Sequence, residues 1–217
     1  MSKPILYYTS GSPPARAVLL LIRNLDLDVE VKSLNLLQQE QHSKEFLKLN
    51  PAHEVPTLVD GTFVLTESRA ILAYLVNSRK AGSDLYPSDP KARARVDQRL
   101  SYDNVLFNKY AAVIRSIFIA GVNAVSQQTR EGVIDTLKVI DTFLENSKWI
   151  AGDNLTIADF SAVAIISNLV EFGYDLTQHS NLPRWYEQCK LLNGFEENLE
   201  GAKFWAGIVK SKIDKVF

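Results

Sequence analysis

The chain has 217 residues, 46% hydrophobic and 23% charged, enough apolar material to build one large or two small domains and too much for a disordered chain. Its 24 Lys plus Arg stand against 25 Asp plus Glu, so no long-range field draws it to nucleic acid or to an anionic membrane. Cys189 is the only cysteine, which excludes an internal disulfide, a two-cysteine redox centre and a cysteine-rich zinc site; no metal is expected.

In chain order, the stretch from Met1 to Tyr8 lacks the apolar core of a secretory signal, so a cytoplasmic protein is expected. Ile5-Leu6-Tyr7-Tyr8 is an apolar run of the buried-strand kind, followed by the turn Thr9-Ser10-Gly11-Ser12 and a helical stretch from Pro13 to about Leu25. The apolar run Ala17 to Ile22 inside it is too short to span a bilayer. Asp28-Val29-Glu30-Val31-Lys32 alternates as a half-buried strand does, completing a parallel crossover unit. Val55-Pro56-Thr57-Leu58-Val59 and Phe63-Val64-Leu65 flank the Asp60-Gly61 turn as a hairpin, and Thr66 opens a helix through Leu75.

Residues 81–89, with Gly82 and Pro87, break this pattern and read as a linker. Asp89-Pro90 then starts a helix, with the carboxylate as cap and proline at the first helical position. Helices are expected over 90–120, 125–145, 156–171, 181–191 and 202–214, with no further strand. Leu155-Thr156-Ile157-Ala158-Asp159-Phe160 combines a capping box with a hydrophobic staple, which makes Asp159 a folding residue. The expected organisation is an α/β domain over 1–80, ordered β-α-β then β-β-α, and an all-α domain over 90–217.

Ser12-Pro13-Pro14-Ala15 has the spacing of a two-cysteine redox motif, with Ser and Ala where the cysteines would stand. What remains is a hydroxyl at a helix N-terminus, where free N–H groups and the helix dipole favour a thiolate; equally, Ser12 is a normal cap for its own helix. Downstream, Val55-Pro56 stands before a strand, where a cis-proline leaves the preceding backbone free to pair with an extended peptide. Glu67-Ser68-Arg69-Ala70-Ile71 offers helix N–H groups and a hydroxyl to a carboxylate, and a side-chain carboxylate to an ammonium. That combination suits an amino-acid head group.

Three segments, Ser12 to Arg16, Phe46 to Leu58 and Glu67 to Ile71, together resemble an insect glutathione transferase of the delta or epsilon class. Leu155 to Phe160, Leu182-Pro183-Arg184-Trp185-Tyr186 and Gly194-Phe195-Glu196 extend the resemblance over essentially the whole chain, and the two prolines after Ser12 favour epsilon. The resemblance implies a thioredoxin-like first domain, a helical second domain and a cytosolic homodimer. It also implies glutathione as co-substrate and conjugation to small apolar electrophiles, with dehydrochlorinase or peroxidase side activity. It assigns Ser12 to the glutathione sulfur, Val55 before Pro56 to the cysteinyl backbone, and Glu67 and Ser68 to the γ-glutamyl amine and carboxylate. His53 goes to the glycyl end, where Gln41 and His42 are alternative partners, and Arg69 adds a positive charge near the carboxylate.

On the helix after residue 90, Phe107, Tyr110, Ile114 and Phe118 recur at helical spacing, opposite a polar face with Asn108, Lys109 and Arg115. Such a stripe reads as core or as the lining of an apolar substrate pocket; the resemblance implies the pocket, with Pro14, Ala111, Phe204 and Ile208. Tyr7 and Tyr8, inside the strand, read as packing residues, and Ser10 is the nearest rival to Ser12. A second reading of the whole chain is a low-turnover carrier of apolar ligands such as steroids or haem on the same fold.

Overall fold

The computed structural model describes residues 3–213 and 215–217. A four-stranded sheet comes first, in the order β2-β1-β3-β4. Strand β1 (Ile5–Tyr8) pairs parallel with β2 (Glu30–Ser33) and antiparallel with β3 (Thr57–Asp60), which pairs antiparallel with β4 (Phe63–Leu65). The parallel pair is joined through α1 (Pro13–Asn24), as such a pair requires, and the hairpin turns at Asp60 and Gly61, the latter at φ 64. The expected β-α-β and β-β-α order is therefore present.

Between the two units lie two 3-10 turns, Leu36–Gln38 and Glu40–His42, and a six-residue helix α2 (Lys44–Leu49). Periodicity did not signal α2 because six residues make under two turns; its cap does the work, the Phe46 N–H donating to Ser43 Oγ at 3.3 Å. The next helix, α3 (Ser68–Arg79), starts after the expected Thr66 because Glu67 sits at φ 64, outside helical space.

Five longer helices follow: α4 (Pro90–Phe118), α5 (Gln127–Phe143), α6 (Ile157–Glu171), α7 (Leu182–Cys189) and α8 (Phe195–Lys210). Helix α8 starts seven residues before the expected 202, after Gly194 at φ 88, and Glu196 and Glu197 favour its positive end. The expected terminus at 214 lies outside the described residues. Helix α6 is the centre of the molecule: every residue from Ile157 to Leu169 is buried, and α1, α4 and α8 pack round it. Its start is the expected capping box, with the Thr156 N–H donating to Asp159 Oδ2 at 2.9 Å. Each large side chain buried here contributes about 1.5–3 kcal/mol. Because α1 carries Ser12 at its N-terminus and lies on α6, the turn after β1 is held by the deepest part of the core.

Candidate active site

Two adjoining cavities open beside the turn after β1. The smaller, of 320 Å³, is polar at its base and bordered by Gln41, His53, Val55, Pro56, Glu67, Ser68 and Arg69. The larger, of 570 Å³, is bordered by Leu36, Leu37, Tyr110, Ala111, Ile114, Phe204, Trp205 and Ile208. Ser12, Pro14, Leu36 and Phe107 border both, and Ser12 is the only one of the four with a polar side chain.

Ser12 has extended backbone torsions, and its Oγ accepts from the Ala15 N–H at 3.4 Å, so the capping function is real. Capping uses a lone pair of the oxygen. The hydroxyl proton remains free to donate, and because Pro13 and Pro14 have no N–H, the mouth of α1 offers a ligand that hydroxyl in place of free backbone donors. Ser10 borders only the larger cavity, and its carbonyl is taken by Arg16 Nη1 at 3.2 Å. Tyr7 and Tyr8 border neither: Tyr7 meets Phe46 edge-on, and Tyr8 is buried with its hydroxyl pushed up to about 12 by desolvation.

In the smaller cavity the Val55–Pro56 peptide is cis. Asn50 braces the loop before it, its Nδ2 donating to the Glu54 carbonyl at 2.9 Å and to Thr57 Oγ1 at 3.0 Å. In the sequence, the Asn50-Pro51 turn is the sole signal for this role of Asn50. Ser68 is buried in the first turn of α3, so its hydroxyl and the free N–H groups form an anion seat. Glu67, just outside the helix at φ 64 and ψ 107, holds a left-handed conformation that costs a non-glycine residue about 1–3 kcal/mol.

Of the alternatives Gln41 and His42, only Gln41 borders the cavity, and its buried Oε1 has no donor among the described residues. His42 is exposed and stands against His53, ring centroids 4.5 Å apart, without bordering the cavity itself. Arg69 borders the same cavity and has a buried partner. Its Nε and Nη2 both donate to Asp103 Oδ2, at 3.0 and 2.6 Å, and Ser161 Oγ donates to the same oxygen at 2.5 Å. Asp103 is 2% exposed, so two of the guanidinium nitrogens are held by a buried carboxylate, while Nη1 has no partner among the described residues. The pair ties α3 to α4 under the anion seat.

In the larger cavity Phe107, Tyr110, Ala111 and Ile114 come together with Phe204 and Ile208 as expected. Tyr110 is 4% exposed; its oxygen accepts from Asn168 Nδ2 at 2.7 Å, and burial pushes its hydroxyl up to about 12. Phe118 is not on the wall. One turn further along α4 it has passed the cavity, and its ring stacks on Trp205 at 5.5 Å. Arg115, expected on the opposite face, borders the cavity instead. Trp205, Leu36 and Leu37 were also missed, the two leucines because a three-residue 3-10 turn carries no periodic signal.

Among the described residues no group of three or more His, Cys, Asp or Glu is placed to hold a metal ion, and no helix is long and apolar enough to cross a membrane. Comparison with known proteins agrees with the site. The glutathione S-transferase N-terminal domain family matches residues 3–77, and the C-terminal domain family matches residues 111–193. Glutathione S-transferase D7 of Anopheles gambiae is 38% identical, over 97% of this chain and 98% of its own length. An epsilon-class glutathione S-transferase from the housefly, Musca domestica, superposes with a TM-score of 0.92 at 38% identity, covering 99% of this chain and 100% of that one. A glutathione transferase homologue from Drosophila mojavensis, solved with bound glutathione, superposes at 0.93 with 38% identity, covering 98% and 99%. Two domain families in order along the chain, and relatives matched over nearly its whole length, show that the protein belongs to the insect glutathione S-transferase family.

Proposed function

We propose that this transferase joins the sulfur of glutathione to small apolar electrophiles, with Ser12 holding that sulfur as its thiolate. The observation that carries this reading is the position of Ser12 on the seam between the polar and the apolar cavity. A group held there faces its reaction partner directly.

Bound glutathione supplies the nucleophilic sulfur; the rest is work for the chain's own residues. The Ser12 hydroxyl donates a hydrogen bond to the sulfur, aided by the positive end of α1. A free thiol titrates near about 8.5, and lowering that by about two units takes roughly 2.7 kcal/mol, within reach of one such bond plus a helix terminus. Ser68 and the α3 N-terminus take the γ-glutamyl carboxylate, Glu67 takes the ammonium, the Val55 backbone pairs with the cysteinyl part, and Gln41 and His53 meet the glycyl end. Phe107, Tyr110, Ile114, Phe204 and Ile208 exclude water around the electrophile, so proximity and a standing thiolate supply most of the acceleration.

The physiological role that fits is detoxification in the cytosol by a homodimer. Two adjacent prolines after Ser12 favour the epsilon class over delta. Turnover of glutathione with chlorodinitrobenzene tests the reading against the carrier alternative. Steady conjugate release is expected; tight binding of apolar dyes without turnover would favour a carrier.

A further inference from the structure

The larger cavity has an uneven electrostatic character. Among the described residues no aspartate or glutamate borders it, and the one formally charged side chain there is Arg115. Arg115 forms no ion pair within 4.0 Å and no side-chain hydrogen bond among the described residues, whereas Arg16 is held by α6 and α8, Arg69 by Asp103 and Arg23 by Glu197. Trp205 Nε1, in the same wall, is turned to the Tyr110 oxygen, so the guanidinium is the donor left for a guest. A cavity with one cation and, among its described lining, no acid favours a guest that carries an acceptor, above all an anionic one.

The surrounding surface says what the remainder of that guest is. Leu37 is 79% exposed and Phe204 57%, both on the cavity, beside the neutral Ser33 and Asn35. The rim is thus apolar or neutral, with a single cation set in it. Arg115 does stand in the last turn of α4, where a cation suits the helix dipole. That preference is met anywhere round the turn, and does not account for the cation facing an apolar cavity four residues on from Ala111, on the same helix face.

We propose that Arg115 makes this enzyme select apolar electrophiles that bear a carboxylate or a similar anionic group, the apolar body lying in the cavity and the anion on the guanidinium. This rests on the conjugation reading and names its substrate class. A planar guanidinium matches a carboxylate with two parallel hydrogen bonds, and where a bound guest covers one side of the exposed Arg115 such a pair changes affinity by about tenfold.

The test uses one reactive core in two charge states: a chlorobenzene with nitro groups at both ortho positions and a carboxylate para to chlorine, and its methyl ester. In both, the thiolate forms the sulfur–carbon bond and chloride leaves with the electron pair of the broken carbon–chlorine bond. In Arg115→Gln the acid-to-ester ratio of kcat/KM is expected to fall about tenfold, mostly through KM for the acid, with Arg115→Lys recovering part of it. Added salt lowers the same ratio in the unaltered enzyme. A ratio unchanged by the substitution overturns the proposal. Should neither compound be conjugated, the conjugation reading fails, and calorimetric binding of dinitrobenzoate and its methyl ester decides the role of Arg115 separately. Loss of about tenfold for the acid over the ester in Arg115→Gln supports it, and equal ratios in both proteins overturn it.

Discussion

A side chain at Gly201 would collide with Arg16: a Cβ there lies 2.5 Å from the Arg16 Cδ and 2.7 Å from the Ser10 carbonyl oxygen. Helix α8 therefore lies with its backbone directly against the turn that carries Ser12. Gly201→Ala must push that turn or α8 aside, and overpacking of this kind costs about 1–3 kcal/mol. Chemical denaturation should show the loss, and conjugation should fall with it because the Ser12 hydroxyl moves. Unaltered stability and turnover would mean that the contact yields freely.

Arg16 itself is 1% exposed and bound only to neutral acceptors: Asn198 Oδ1 at 3.1 Å, Ser10 O at 3.2 Å, Ala164 O at 2.8 Å and Asn168 Oδ1 at 2.6 Å. Desolvation pulls its pKa down to about 10, which still leaves it charged at neutral pH. It fastens the Ser12 turn to α6 and α8 at once. Arg16→Met keeps the volume but strips four buried acceptors of their donors, and should destabilise the fold by about 3–5 kcal/mol. A melting temperature within a degree or so of the parent would contradict this.

Asp159 is fully buried, accepting from the Ile150 N–H at 3.0 Å, Trp185 Nε1 at 2.9 Å, and the N–H and hydroxyl of Thr156 at 2.9 and 3.1 Å. Burial outweighs these donors and raises its carboxyl from 3.8 to about 6. A raised carboxyl pKa means that the folded state holds the proton more tightly, so its contribution to stability is complete below 3.8 and is lost as pH rises through about 6. Compared with Asp159→Asn, the parent should gain stability as pH falls from 7 towards 4. Denaturation of both proteins across that range checks the sign, and a gap that narrows on acidification would reverse it.

What could be read from the sequence was local. Ser12 before two prolines, the Asp89-Pro90 start, the Thr156 to Asp159 box and the Asp60-Gly61 turn each declare themselves within a few residues, and each stands where expected. The ligand-facing sets around Val55 and Glu67 were legible through family resemblance. What escaped depends on partners far along the chain. Nothing near Arg69 announces Asp103, 34 residues on, and nothing near Arg16 announces Asn198, 182 residues on. Helical spacing placed Phe118 with Phe107, yet a 29-residue helix carries its later turns past a cavity only a few turns long, leaving Phe118 beyond it and Arg115 on its edge.

The claim on which the account turns is that Ser12 keeps the bound sulfur ionised. Its most direct measurement is the ultraviolet absorbance of the thiolate, titrated with pH in the binary complex of glutathione with the parent protein and with Ser12→Ala. The account predicts a midpoint near about 6.5 in the parent and a rise of about two units on substitution, with glutathione still bound. Coincident titrations in the two proteins would contradict it.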